Sequence, residues 1–327
     1  MKVDFHNHFY PPQYLAELEK GDTRAKVERD EHGQLLLFYA GDYNVIVRTH
    51  RDAEERIREM ERCGVDMQVL TLTTPGVHIE EPKQGVALAR VVNDAFAAMM
   101  EKHRQHFMAL AALPLQDPEA ATAELERAVT ELGLPGAVLF TNVNGQPLDA
   151  PHYRPLYEKA AALDALLFIH PTSPVGVEAM EDYRLVPLVG FPLDTTLAIS
   201  RLVFSGLLET FPDLKFVLAH LGGAVPYLAE RIDRGYFAYQ ESRANISKPP
   251  SEYFKKVYMD TVSFDPAALQ FALAFAGPEK LLLGSDYPHQ IGDLQRSVRV
   301  IEGLPILAED RERILGRNAV ELLKLEV

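Results

Sequence analysis

The feature that most constrains this chain is an alternation: short apolar runs of β type recur between helical patterns from end to end. After KVDFH come DMQVLTL (66–72), FMALAALPL (107–115), GAVLF (136–140), ALLFIH (165–170), KFVLAH (215–220), VYMDTV (257–262) and KLLLGSD (280–286), which makes eight strand candidates. Between them lie helix-like stretches such as DAEERIREMERC, QGVALARVVNDAFAAMMEKH, DPEAATAELERAVTEL, APHYRPLYEKAAAL and TTLAISRLVFSGLLETF, several opened by Asp or Thr caps or by Pro in the first turn. Mostly apolar strands alternating with helices this many times predict an α/β fold, a (β/α)8 TIM barrel. An open doubly wound sheet is less well supported, because no G-x-G-x-x-G follows the first strand.

Two segments depart from the alternation. VERDEHGQLLLFYAGDYNVIV (27–47) holds two β-type runs around polar or Gly-containing turns and predicts a small β-hairpin inserted after strand 1, a lid or an interface. QESRANISKPPSE (240–252) reads as an irregular loop in which Pro249 and Pro250 block a helix. No Gly/Ser linker or low-complexity block divides the chain, so residues 1–327 are expected to form one domain.

Charge and cysteine usage narrow the partners and the compartment. A formal net charge of −14 without a basic stripe excludes nucleic acid as an expected partner and disfavours anionic membrane surfaces. The single cysteine, Cys63, allows no internal disulfide; within the helical-looking REMERCGVD it reads as a buried or half-buried thiol, which fits a reducing cytoplasm. The N-terminus enters a strand pattern directly. No apolar run is expected to approach the roughly 20 residues that span a bilayer, so neither export nor membrane embedding is expected.

In such a barrel, functional side chains cluster where strands run into their C-terminal loops. VDFHNHF places His6 and His8 two residues apart, on one side of an extended strand. His170 ends ALLFIH, His220 ends KFVLAH and Asp286 ends KLLLGSD. Any one histidine on an apolar strand is as readily a satisfied core residue, but five such groups at one rim point to a site. Three or four imidazoles with one carboxylate suit a divalent transition ion. Zn2+ is the first expectation and Mn2+ the second, with Fe2+ and Co2+ also compatible with these ligand types. His6, His8, His170 and Asp286 are assigned to the metal and His220 to general acid/base work, although residue types alone leave that division open.

Further residues are weighed for substrate. An anionic substrate calls for a cation, for which Arg48 and Arg51 are candidates; a solvated loop is an equal reading of each. Phe191 could wall a flat substrate, His289 could contact it, and Asp260 at the end of VYMD could orient His220 or cap a helix. His32, His50, His78, His103, His106 and His152 sit in loop-like or helical surroundings and receive no chemistry.

Together the initial HxH, FIHPTSP, LAHLGGAVPYLAERIDR and LLLGSDYPH, with RIREMERCGVDMQVL and TNVNGQPLDAP between them, resemble the amidohydrolase superfamily. More narrowly they resemble its branch related to aminocarboxymuconate semialdehyde decarboxylase, with the γ-resorcylate and 5-carboxyvanillate decarboxylases. The resemblance implies a (β/α)8 barrel, one divalent metal on residues matching His6, His8, His170 and Asp286, a catalytic histidine matching His220, a substrate-binding arginine in the region of Arg48 and Arg51, and often a homodimer. Two-metal hydrolases of the superfamily usually carry a bridging carboxylated Lys or a Glu at the fourth strand. Here that position reads AVLFTNVN, which favours a mononuclear site. The expected function is metal-dependent, non-oxidative decarboxylation of a small aromatic or unsaturated carboxylic acid, without organic cofactor. A hydratase or hydrolase acting on an unsaturated dicarboxylate or lactone at the same site is the alternative, and release of CO2 separates the two.

Overall fold

The computed structural model describes residues 1–39 and 42–325. Nine parallel strand segments are mostly buried: β1 (Val3–His8), β2 (Met67–Thr71), β3 (Phe107–Ala109), β4 (Gly136–Phe140), β5 (Leu166–His170), β6 (Lys215–Leu218), β7 (Tyr258–Asp260), β8 (Leu281–Leu282) and β9 (Gly284–Tyr287). Their hydrogen-bonded order is β9-β1-β2-β3 in one sheet and β8-β7-β6-β5-β4 in the other. A parallel bridge from Ala111 to Ala137 joins the two beyond β3, and only Leu283 separates β8 from β9. These two links connect the sheets at either end.

Why these residues form strands follows from burial on both faces. β4 and β5, GAVLF and LLFIH, are buried at every position, which rewards continuous branched and aromatic residues rather than alternation. Each fully buried Leu, Val or Phe side chain contributes roughly 1.5–3 kcal/mol. A second cluster draws Val3, Phe5, Val69, Val138, Phe168, Val217 and Leu282 from β1, β2, β4, β5, β6 and β8, with Leu110 just past β3. The larger cluster packs the opposite faces against the helices.

The helices begin and end where local chemistry allows. Asp52, Asp117 and Asp293 accept the backbone N–H of Glu55, Ala120 and Arg296 at 3.1, 3.1 and 2.8 Å, supplying partners that a helix start lacks. Cys63 is buried at the end of the helix Ala53–Cys63, which stops at Gly64 in the left-handed conformation (φ 67°).

Four features differ from the sequence expectation. The segment predicted as a hairpin is a three-stranded antiparallel sheet, Lys26–Arg29, Leu35–Tyr39 and Asp42–Ile46. Its first strand, KVER, is largely exposed and so carries no apolar period to read. Residues 40 and 41, inside the predicted span, lie outside the described residues. Pro250 does not block a helix but begins one, Pro250–Phe254, because the first helical position needs no N–H donor. Thr195 and Thr196 do not cap their helix: it begins at Phe191, and their hydroxyls donate to the carbonyls of Phe191 and Pro192 at 3.1 and 2.7 Å. Finally, Val186–Phe204 is a continuous helical stretch of 19 residues with mean hydropathy 1.3, long and apolar enough by those measures to cross a membrane. Its Thr195, Ala198, Ile199, Leu202 and Val203 are buried within the fold.

Candidate active site

The pairing of β1 with both neighbours shifts register between Asp4 and Asn7. A bulge of this kind re-aims side chains. Phe5 packs edge-on against Phe168, with ring centroids 6.0 Å apart, and His6 lies against the same ring at 5.1 Å. His6 and His8 remain on one side, 4.9 Å apart between ring centroids, with Nε2 atoms 3.1 Å apart.

β5 and β9 complete the cluster. His170 ends β5, 5.2 Å from His6 and 4.9 Å from His8 between ring centroids. Asp286 in β9, itself left-handed at φ 56°, presents Oδ1 at 3.0 Å from His8 Nε2 and 3.5 Å from His6 Nε2. His220 lies not in β6 but in the turn after it, a departure from the strand-end expectation. Residues 220–223 all have positive φ (53°, 58°, 70° and 64°), and Asp260 stabilises that turn by accepting the N–H of His220 at 3.0 Å and of Leu221 at 3.1 Å. His220 Nε2 is 3.9 Å from Asp286 Oδ2.

The far nitrogen of three of these rings is engaged. His6 Nδ1 pairs with the Asp260 carboxylate, His8 Nδ1 lies 3.0 Å from Thr71 Oγ1, and His170 Nδ1 donates to the Pro171 carbonyl at 2.8 Å. Each Nε2 therefore points into the cluster, with the tautomer set from behind. His170 Nε2 is buried without a partner, as is His220 Nδ1. A buried nitrogen with a free lone pair is costly unless something binds it, so the donor set fits a divalent ion.

Ionisation suits that fit. Burial, together with the neighbouring imidazoles, drives His8 and His170 well below the ordinary histidine range, which keeps both rings neutral, the form in which an imidazole can bind a metal. Burial opposes charge on His6 too, but Asp260 and Asp286 outweigh it and raise its pKa. Burial would raise Asp286, yet the contact from His8 and the surrounding imidazoles hold it well below the usual carboxylate range. Donor atoms of His6, His170, His220 and Asp286 lie within 4.8 Å of one another, and His8, Asp286 and His289 form a second such group.

A cavity of about 570 Å³ opens over the cluster, lined by His170, His220, Asp286, His289 and Phe191 among others. Phe191, at the start of its helix, lies 6.3 Å from His220 with the rings inclined by 28°. His289 is 4.7 Å from His8 and 5.3 Å from His50, ring to ring. Past β4, Thr141 and Asn142 are occupied otherwise: both donate to the buried carboxylate of Asp194, Asn142 at 3.1 Å.

The two candidate arginines are not brought into this cavity. Arg48 is an exposed side chain paired with Asp52 at 3.0 Å, and Arg51 is also exposed, because the 3-10 turn at Arg48–His50 directs both outward. Arg184 lines the cavity instead. Three residues escaped the sequence reading. His50, given no chemistry there, is fully buried beside His289. Arg56, also fully buried, donates to Asn7 Oδ1 at 2.8 Å, the His8 carbonyl at 3.0 Å, the Thr49 carbonyl at 3.0 Å and Gln68 Oε1 at 2.7 Å. Only the i, i+4 spacing of Arg56 with Met60 on an otherwise charged helix hinted at an inward face. Arg184, in a stretch without periodicity, gave no signal at all.

A histidine–carboxylate cluster at the C-terminal ends of parallel strands, beneath a half-open cavity, defines an α/β protein of metal-dependent enzyme type. Residues 3–325 match the Amidohydrolase family, and the chain belongs to it. It is 35% identical over 333 residues to 2-amino-3-carboxymuconate-6-semialdehyde decarboxylase of Dictyostelium discoideum, covering 100% of this chain and 92% of that one. Among solved structures it resembles 5-carboxyvanillate decarboxylase from Sphingomonas paucimobilis, with TM-score 0.85, 26% identity and 99% of both chains covered. It also resembles a dihydroxybenzoic acid decarboxylase from Polaromonas with bound manganese and the inhibitor 2-nitroresorcinol, with TM-score 0.82, 26% identity, and 99% and 97% of the two chains covered.

Proposed function

We propose that the protein is a metal-dependent, non-oxidative decarboxylase, a carbon–carbon lyase acting on a small aromatic or unsaturated carboxylate. The observation that carries the reading is the convergence of three imidazole Nε2 atoms on Asp286, each ring fixed from behind at Nδ1. His6, His8, His170 and Asp286 would hold one divalent ion per chain, with Zn2+ the first expectation and Mn2+ the second. Bound there, the ion would supply Lewis acidity to a substrate oxygen.

The protein's own groups do the rest. His220 is set apart from the ligands because nothing engages its Nδ1 and its backbone is strained into place by Asp260. Burial pushes its pKa below the ordinary histidine range, so the imidazolium, once protonated from solvent, gives its proton up readily. The bond from substrate carbon to carboxylate breaks, its electron pair remains on that carbon, the carbon takes the proton from His220, and CO2 leaves. No oxidant and no organic cofactor is needed. Phe191 packs against a flat substrate, and His289 lines the same cavity.

The same reading covers the scaffold. The two linked parallel sheets are taken as a (β/α)8 barrel within one domain, and the antiparallel strands of 26–46 as an insertion that walls its mouth. Leu188, Val189, Leu193 and Leu197 are exposed along one helical stretch, which suits pairing of two copies. The acidic chain is assigned to the cytoplasm, with neither nucleic acid nor membrane as partner.

Metal content per chain, measured by plasma mass spectrometry on protein purified without chelator, tests the site. About one Zn or Mn per chain is expected, falling in His170→Ala and Asp286→Asn. Two per chain, or none that can be loaded, would contradict the reading.

A further inference from the structure

His50 is fully buried, and all but one of its polar groups are engaged. Its backbone N–H donates to the Val47 carbonyl at 3.1 Å, its carbonyl accepts the N–H of Tyr10 at 2.7 Å, and its Nδ1 accepts the N–H of Val47 at 3.1 Å. A ring nitrogen that accepts carries no proton, so this ring is neutral with its proton on Nε2. That Nε2 is buried without a hydrogen-bond partner. A buried donor left unpaired is costly, and it marks the place where an acceptor belongs.

Two neighbouring rings pack on His50. Tyr10 lies at 5.5 Å between centroids, but its hydroxyl is already used, donating to the Thr74 carbonyl at 2.6 Å and accepting from Asn44 Nδ2 at 2.8 Å. His289 lies at 5.3 Å with the planes inclined by 54°. At that separation facing nitrogens of two imidazoles come to about 3 Å once the rings are turned to meet. The His289 side chain borders the cavity and has room to turn. Its backbone is fixed: the N–H donates to the Asp286 carbonyl at 3.1 Å, the carbonyl accepts the N–H of Gly292 at 2.9 Å, and a Cβ on Gly292 would come within 2.2 Å of that same Asp286 oxygen. The ring is thus held beside the cluster, with one nitrogen within 4.8 Å of the donor atoms that His8 and Asp286 offer. One small oxygen-bearing group can touch both.

We infer that His50 is a positioning residue whose Nε2–H fixes the tautomer of His289, which then offers an N–H to a carboxylate oxygen of the substrate bound over the cluster. A histidine that accepts from His50 on one nitrogen is neutral and carries its proton on the other, so its cavity side is a donor rather than a lone pair. A lone pair there would repel an anionic oxygen, whereas an N–H makes a charge-assisted bond with it. The series from Val47 N–H through His50 to His289 transfers no proton; it orients each donor in turn. The same proton keeps His289 from ligating an ion beside His8 and Asp286, in keeping with a single metal per chain. The inference rests on the decarboxylase reading only for the fate of the bound carboxylate.

Two-bond 1H–15N spectra of the zinc-loaded protein labelled with 15N-histidine, recorded with and without benzoate, test it. The signals of the two rings are identified by their loss in His50→Phe and His289→Phe. In the wild type with benzoate each ring should be a single neutral tautomer, His50 protonated at Nε2. His50→Phe should give His289 a mixture of tautomers or the opposite one, and His50→Gln, which keeps an N–H near the place of Nε2, should restore it. By calorimetry His50→Phe and His289→Phe should each weaken benzoate by about tenfold, the double variant by no more than either, and His50→Gln by less than about threefold. An unchanged His289 signal in His50→Phe, losses that add in the double variant, or benzoate bound by His289→Phe as by the wild type would each overturn the inference. So would a wild-type His50 protonated at Nδ1, which is read without any variant. A His289 tautomer set by His50 in a protein that releases CO2 from no acid would support the inference while overturning the decarboxylase reading.

Discussion

The Asp260 carboxylate pairs with His6 Nδ1 and, with the same group, accepts the backbone N–H of His220 at 3.0 Å. One buried side chain thus fixes both a proposed ligand and the turn that carries the proposed acid. Asp260→Asn should keep one acceptor for the turn but lose the charge behind His6. Metal affinity is expected to fall about ten- to hundredfold, the usual cost of losing such a support. Competition with a chromophoric chelator measures it, and unchanged affinity would remove Asp260 from this role.

The division between ligands and acid is testable in the same protein. His220→Ala should leave about one metal per chain and reduce kcat by about 10²–10⁴-fold, the range for loss of general acid catalysis. His170→Ala should lose metal and activity together. Full activity in His220→Ala would remove it as the acid, and metal loss equal to that of His170→Ala would make it a ligand.

Arg56 ties the end of β1 to Thr49 and Gln68 and lies over the Tyr287 ring at 5.0 Å, next to Asp286. Burial lowers its pKa to about 10, yet it stays charged at neutral pH. Arg56→Met leaves four acceptors without their donor and should cost about 3–5 kcal/mol in urea unfolding, as breaking a buried charged network does. Loss of less than about 1 kcal/mol would show that the network is not needed for stability.

Acid sensitivity should trace in part to His78, which burial pushes down to about 3, away from the cluster and against Phe140 at 4.4 Å between rings. A histidine with a depressed folded pKa stays neutral when folded, while the unfolded chain binds a proton below about 6.5. Its contribution is intact above that pH and is lost progressively as pH falls toward 3. At pH 5 the loss is about 2 kcal/mol relative to pH 7. His78→Phe should flatten the stability profile between pH 7 and pH 5 by that amount; a parallel profile would contradict the assignment.

Sequence made the parallel strands and their terminal histidines legible, because burial on both faces forces continuous apolar runs and an HxH repeat can face only one side of a strand. The bulge at Asp4–Asn7 was not legible, since it depends on two neighbouring strands. Arg56 was hidden on a helix whose other charges face solvent, and its partners come from three distant segments. The exposure of Arg48 and Arg51 follows from the local 3-10 turn at Arg48–His50, which their residue types do not encode. Lys26–Arg29 escaped because an exposed edge strand needs no apolar residues.

The most direct test is the amount of CO2 released per molecule of aromatic acid consumed by the metal-loaded protein with oxygen excluded. The account predicts one CO2 per acid consumed, with a proton in place of the carboxylate. Consumption of an acid without CO2, through addition of water or opening of a lactone, would contradict it.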